Sequence, residues 1–343
     1  LAGPSGGNQL LFPTVDLYPR DLYVDADGLN IPNPKFAGTV RSLDYAVPVR
    51  FSEWGTRGAN PTTEGPRWIV VGDSFTLALQ VPDEETFVAK LSKVLKIEVI
   101  NAGVDGYSTY EAAVRLAQLS VPFPPKAVVL AFFTGNDLAD NLRPSRRSPG
   151  NPGRSPSPGG PNFPVHRSPP PLRLNAFELF LREHSVLFAH YLVWEKQQKI
   201  ASGKDPRSKH FKDELEIFGP MVHEKLAHDM PATNAALAEF ATTALRVGAG
   251  NTYVVVLPPA FGLDAEVARK TLRAFGVNRD HASNPDVDTA SDAVLSAVRE
   301  NGMVPCDARP ELRAALAGGQ NPYFLFDAHL TAAGHTAVAD AIS

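Results

Sequence analysis

The stretch Arg67-Trp68-Ile69-Val70-Val71-Gly72-Asp73-Ser74-Phe75-Thr76 decides the fold. Its unbroken apolar run reads as a strand buried on both faces, and the glycine after it reads as a tight turn. The turn delivers a serine hydroxyl to the mouth of a sheet, at the start of a helix. Free backbone N–H groups and the helix dipole favour a developing negative charge at that place.

Downstream the pattern repeats. Phe87 to Leu95 carries apolar residues at helical spacing, Glu98-Val99-Ile100 reads as a second strand, and Tyr110 to Leu119 as an amphipathic helix. Ala127 to Phe133 is wholly apolar, as a central parallel strand should be. Thr252 to Leu257 resumes the sheet, and helices are expected near 264–275 and 288–300. Asp264 and Asp288 read as their N-caps, Gly276 and Gly302 as their stops. Such alternation predicts an α/β sheet covered on both faces.

Two regions break the rhythm. Residues 1–66, with Asp25-Ala26-Asp27-Gly28, Asn33-Pro34, Gly55 and Gly58 between short runs such as Thr39–Leu43 and Val47–Phe51, read as an extension of strands and loops packed on the main domain. Residues 143–250 read as an insertion that separates 67–142 from 251–343. Between Asn141 and Asn175 it holds ten prolines and no acidic residue, with Arg143, Arg146, Arg147, Arg154, Arg167 and Arg173. Proline at that density excludes helix and central strand, which leaves a surface loop or a basic docking segment for an anionic partner. Asn175 and Glu178 form a capping-box pattern ahead of a wide apolar face from Phe177 to Trp194, which reads as core or as a pocket wall. Further helices are expected at 211–229 and 233–247.

Composition bounds the function. The 343 residues suffice for one large domain with an insertion, and 33 basic against 37 acidic residues give no reason to expect nucleic-acid binding. Cys306, the lone cysteine, excludes an intrachain disulfide and a cysteine-rich zinc site. No apolar run approaches the roughly 18 residues of a membrane span. The chain starts at Leu1, and Leu1 to Gln9 reads as a processed or engineered end, or as a flexible tether. A periplasmic or secreted location is favoured over a cytoplasmic one, and the oligomeric state is left open.

The chemistry is carried by three further pieces. Phe326-Asp327-Ala328-His329-Leu330-Thr331 puts an acid and an imidazole two residues apart, before a helix that Thr331 can cap. A serine needs a base to become a nucleophile at neutral pH, and the base needs a carboxylate to fix its tautomer. Ser74, His329 and Asp327 supply the three types. Asn101-Ala102-Gly103-Val104-Asp105-Gly106 and Thr134-Gly135-Asn136-Asp137 follow the second and third strands. A glycine N–H and an asparagine amide there can face one oxyanion beside the Ser74 N–H.

These four blocks resemble the SGNH (GDSL-type) hydrolase superfamily, which contributes Ser, Gly, Asn and His in this order. The resemblance covers about 65–140 and 250–343 and implies a three-layer, flavodoxin-like α/β/α fold with a parallel central sheet. It implies Ser74 as nucleophile, Gly106 as a backbone oxyanion donor with Gly103 as its rival, Asn136 as a side-chain donor and His329 as base. Two positions depart from the pattern. The usual acid position, three before the histidine, holds Phe326, with Asp327 following it; Thr134 stands where a first glycine is common. Some bacterial SGNH-like proteins, cell-envelope O-acetyltransferase relatives among them, look similar in using Asp-x-His.

Asp73 and Asp137 read as braces of their turns and His335 as structural. His223, His228, Glu224 and Asp229 form a loose cluster that reads as a solvated helix face rather than a metal site. The expected activity is hydrolysis of a carboxylic ester of a carbohydrate or lipid through a serine acyl-enzyme, with no cofactor and no metal. An O-acyltransferase acting on a cell-envelope or secreted glycan is the runner-up, and a non-catalytic binding protein the third reading.

Overall fold

The computed structural model describes residues 22–26, 29–42, 44–142, 215–274, 285–325 and 327–343, with scattered positions between 188 and 202. The arginine-rich stretch, the capping box at Asn175, most of the aromatic face and Gly276 lie outside the described residues.

Five strands build one sheet: β5 (Arg67–Val71), β6 (Glu98–Asn101), β7 (Ala127–Phe133), β8 (Asn251–Leu257) and β9 (Val304–Asp307). Before them, β1 (Tyr23–Ala26) pairs with β2 (Leu29–Pro32) and β3 (Ala37–Arg41) with β4 (Ala46–Arg50), both antiparallel. The sheet runs β6-β5-β7-β8-β9 with every pairing parallel. Relative to the first sheet strand this is the order 2-1-3-4-5, the flavodoxin-like winding.

Alternation along the strands makes two cores. Ile69, Val71, Val128, Leu130, Val254 and Val256 face one side. They meet α3 (Thr109–Ser120), α5 (Val222–Arg246) and α7 (Thr289–Glu300). Val70, Val129, Ala131, Val255 and Leu257 face the other side, against α2 (Phe87–Leu95), α8 (Arg309–Ala317) and α9 (Ala332–Ile342). The remaining helices are α1 (Ser74–Leu77), α4 (Asp137–Asp140) and α6 (Ala265–Ala274). The result is the expected three-layer α/β/α fold.

Several expectations need correction. One helix, α5, runs from 222 to 246 through Pro231, where a break is expected. Proline in a helix interior costs about 3 kcal/mol. Here Pro231 and Ala227 are both exposed, so water can serve the carbonyl left without its N–H. On the opposite side Leu226, Leu237, Phe240 and Ala244 are buried in the sheet core and hold the helix through the proline. The last strand, Val304-Pro305-Cys306-Asp307, has no apolar run to announce it; its proline is tolerated because β9 is an edge. Asp288 precedes α7, but its side chain makes no cap; Asp286 accepts from the N–H groups of Asp288 and Thr289 instead. Asp264, by contrast, caps α6 through the N–H groups of Glu266 and Val267.

The N-terminal hairpin bears directly on the site. Val40, Val47 and Val49 of β3 and β4, with Phe36 and Phe51, pack on Leu77 and Leu79 just beyond Ser74. Arg57 is buried and donates to the carbonyls of Ala78 and Val81. With Ala78 in the left-handed region (φ 55°), these bonds end α1 after one turn. Among the described residues no helix is long and apolar enough to cross a membrane.

Candidate active site

The site is built at the carboxyl ends of β6, β5 and β7. Gly72 leaves β5 at φ 153°, and a Cβ there would lie 2.5 Å from Thr76 Oγ1 and 2.8 Å from the carbonyl of Ala131 on β7. No side chain fits between the two strands at this level, so the turn needs glycine. Asp73 then caps α1, its Oδ1 accepting from the Phe75 N–H at 2.9 Å. Ser74 opens the helix with its side chain toward the loop that carries His329.

His329 Nε2 lies 2.8 Å from Ser74 Oγ, and His329 Nδ1 lies 2.5 Å from Asp327 Oδ1. With Nδ1 against a carboxylate, the ring proton belongs on Nδ1, which leaves Nε2 to accept from the serine hydroxyl. The two residues reach one side of the loop because Ala328 between them is left-handed (φ 66°). Such a backbone costs a non-glycine residue roughly 1–2 kcal/mol. It is how an Asp-x-His spacing brings acid and imidazole together. The His329 ring also lies 4.6 Å, centroid to centroid, from Phe75, and Phe75 stacks on Phe133 at 3.9 Å.

Asp327 is 1% exposed. Burial alone pushes its carboxyl up, but the charge and hydrogen bond of His329 and the hydroxyl of Tyr45 hold it below the ordinary range. Tyr45 donates to Asp327 Oδ2 at 2.7 Å, and Asp44 Oδ2 accepts from the Asp327 N–H at 2.8 Å. Both residues come from the β3–β4 loop. Sequence reading missed them; a polar-aromatic pair between two alternating strands gives no local sign of what it meets 282 residues later.

The two glycines of the second block do different things. Gly103 N–H donates to Asn101 Oδ1 at 3.1 Å, and a Cβ at Gly103 would lie 2.3 Å from the Leu77 nitrogen. Gly103 is therefore committed to packing against the Ser74 turn. Gly106 adopts φ 73° with open space where a Cβ would point, and its N–H makes no hydrogen bond among the described residues. Asn136 begins α4; its Nδ2 donates to Asp140 Oδ2 at 3.2 Å, which leaves its second amide hydrogen for another acceptor.

Beneath these turns lie two more carboxyls. Asp137 Oδ2 accepts from the Phe133 N–H at 2.8 Å, so Asp73 and Asp137 each brace a turn. Burial pushes Asp73 up to about 7, with Asp105 adding to the rise. Asp137 is pushed well above its usual range by burial and by Asp73 and Asp140. His335 is enclosed; its Nδ1 accepts from the Phe87 N–H, and burial pushes it down to about 3. His228 and Lys225 both pair with Asp229, and among the described residues no group of three or more His, Cys, Asp or Glu is placed to hold a metal ion.

No protein-family model and no curated protein matches the chain. Solved structures with similar folds include a catalytic mutant of Axe2, an acetylxylan esterase from Geobacillus stearothermophilus. It is 12% identical over 82% of this chain and 94% of that one, with a TM-score of 0.40. LAE5, an alpha/beta hydrolase enzyme from the metagenome of Lake Arreo, is 13% identical over 82% and 94%, with a TM-score of 0.39. A member of the lipolytic G-D-S-L family from Veillonella parvula is 13% identical over 81% and 96%, with a TM-score of 0.37. Likeness at this level does not reach the chemistry, which the site's own side chains must carry.

Proposed function

We propose that the protein is a serine hydrolase that cleaves a carboxylic ester, an acyl or acetyl ester of a carbohydrate or lipid, through an acyl-enzyme. The observation that carries this reading is the continuous chain Ser74–His329–Asp327, with contacts of 2.8 and 2.5 Å. Its first acceptor is the unprotonated ring nitrogen of an imidazole held by Asp327 on its other side.

In the first half-reaction His329 Nε2 takes the hydroxyl proton as Ser74 Oγ bonds to the carbonyl carbon. The resulting oxyanion is met by the N–H groups of Ser74 and Gly106 and by the second amide hydrogen of Asn136. Such donors typically account for about 3 kcal/mol each in the transition state. His329 then gives its proton to the leaving alcohol as the C–O bond breaks. In the second half a water loses its proton to His329 and attacks the acyl carbon; the bond from that carbon to Ser74 Oγ then breaks, His329 returns the proton to Oγ, and the acid departs. Asp327 stays ionised throughout, which fits a carboxyl held below its ordinary range.

Within this reading residues 67–142 and 251–343 carry the hydrolase machinery. The extension 1–66 and the interval 143–250 lie outside the four blocks, although α5 in that interval covers one face of the sheet.

Intact mass after exposure to a fluorophosphonate tests the reading. One adduct on the native protein and none on Ser74→Ala is the expected result. Absence of an adduct on the native protein would sink it. Acetate release from acetylated glycans, compared with release of longer acids from acyl esters, then selects the substrate class.

A further inference from the structure

We infer that Tyr45 is a positioning residue for the acid of this chain, so that the β3–β4 hairpin helps to set the strength of the base as well as its place. The inference rests on the hydrolase reading and adds a residue that lies outside all four blocks.

Three observations converge on it. First, the two oxygens of Asp327 are divided: Oδ1 takes the His329 ring and backbone N–H groups, and Oδ2 takes the Tyr45 hydroxyl at 2.7 Å. The Asp327 side chain is fully enclosed, so without Tyr45 its second oxygen would be a buried anionic acceptor lacking this donor. Second, the hairpin grips the Asp-x-His loop, with its left-handed Ala328, at two further points. Asp44 takes the Asp327 N–H, and the Tyr45 ring lies 5.5 Å from Phe324, whose N–H donates to the His329 carbonyl. Third, the same hairpin packs on Leu77 and Leu79 behind Ser74, so it touches both the nucleophile's side and the acid's side of the site.

Among the described residues the titratable groups facing Asp327 are His329, Tyr45 and Asp44, with Asp73 acting on His329 from the α1 side. A phenol that donates to the carboxylate draws off part of its charge. Removing the donor leaves a more basic carboxylate, which holds the imidazolium proton more firmly. Since only the neutral imidazole can accept from Ser74, the acid limb of the pH–rate profile must then move to higher pH. Strengthening the donor must move it to lower pH.

The experiment is the rate of serine modification by a fluorophosphonate, followed by intact mass across the acid limb. It compares the native chain, Tyr45→Phe, and Tyr45 replaced by a ring-fluorinated tyrosine, which is a stronger donor of nearly the same shape. Tyr45→Phe should raise the limb by about half to one pH unit. On the limb it should slow modification about three- to tenfold. The fluorinated ring should lower the limb. Coincident limbs in all three proteins would overturn the inference, as would a shift of both variants in one direction. A uniform loss of rate at every pH, in step with a lower melting temperature, would mark Tyr45 as structural only. If Tyr45→Phe does not fold, the fluorinated variant alone decides by its direction. Failure of the native chain to react would overturn the hydrolase reading, and this inference with it; normal reaction of the native chain confines any failure to Tyr45.

Discussion

Two groups of carboxylates in this protein are built on opposite principles. At the end of β9, Asp288, Asp292 and Asp307 converge on Arg309 at 2.8, 2.5 and 2.7 Å, and Arg313 shares Asp288 at 2.8 Å. Charge answers charge, and the acids that surround Arg309 raise its affinity for its proton. At the carboxyl end of β5 and β7, Asp73 and Asp137 are buried, and Oδ2 of the first and Oδ1 of the second find no partner among the described residues. Each braces a turn with one oxygen and carries an electrostatic cost on the other. The described contacts of the answered group do not reach Ser74, whereas the unanswered carboxyls adjoin Ser74 and Asn136 in the chain. Under the proposed mechanism this unfavourable burial is tolerated because the turns beside Ser74 and Asn136 must hold a set geometry.

The largest test of this contrast strikes the proposed nucleophile and base. Ser74→Ala or His329→Ala should lower ester turnover by about 10^4-fold or more. Ser74→Ala should leave the denaturant midpoint nearly unchanged, within about 0.5 kcal/mol. Asp327→Asn should cost roughly 10^3- to 10^4-fold, because an amide at that place can favour the wrong imidazole tautomer. Turnover of a chromogenic ester together with urea melts would show whether either effect is a folding defect.

The answered cluster should behave the other way. Arg309→Met leaves three acids facing one another, and the loss should be about 1–2 kcal/mol, discounted because the acids are partly exposed. Ester turnover per folded molecule should stay the same, and a fall in kcat would break the division between the two regions.

Asp73→Asn probes the unanswered cluster through pH. The Asp73 carboxyl is raised to about 7 in the folded chain, so folding holds its proton more tightly than the unfolded chain does. That contribution is complete below the unfolded value near 3.9 and is lost as pH rises toward 7. The asparagine variant should therefore melt higher relative to the native chain at pH 8 than at pH 5, on the order of 1–3 kcal/mol of difference. A constant difference across that range would show that Asp73 does not titrate there. The smallest effect belongs to Ala328→Gly. It relieves a left-handed alanine but loosens the unfolded chain, and calorimetry should find a gain of no more than about 1 kcal/mol.

How far the sequence can be read follows the same contrast. Strands β5, β7 and β8 and helix α2 announce themselves because burial on both faces, or on one helical stripe, demands contiguous apolar patterns. Ser74, Asp327 and His329 stand out because their turns are short and their order is fixed. Strand β9 is hidden by its length and its proline, and Pro231 suggests a break that tertiary packing overrides. Local pattern also cannot separate Gly103 from Gly106; the difference lies in what each N–H and each missing Cβ meets in space. Asp44 and Tyr45 are illegible for the same reason, since Asp327, which both meet, comes from the far end of the chain.

That distance has a consequence for how the molecule comes into being. Ser74 and His329 are separated by 255 positions, and Tyr45 and Asp327 by 282. On a ribosome, the sheet from β6 to β8 can collapse while the loop that carries the base is still unmade. Under the proposed mechanism the serine stays an ordinary alcohol until that loop docks, so reactivity is the last thing folding supplies. Any nascent or clipped chain that lacks that closing loop would present the scaffold with an inert hydroxyl.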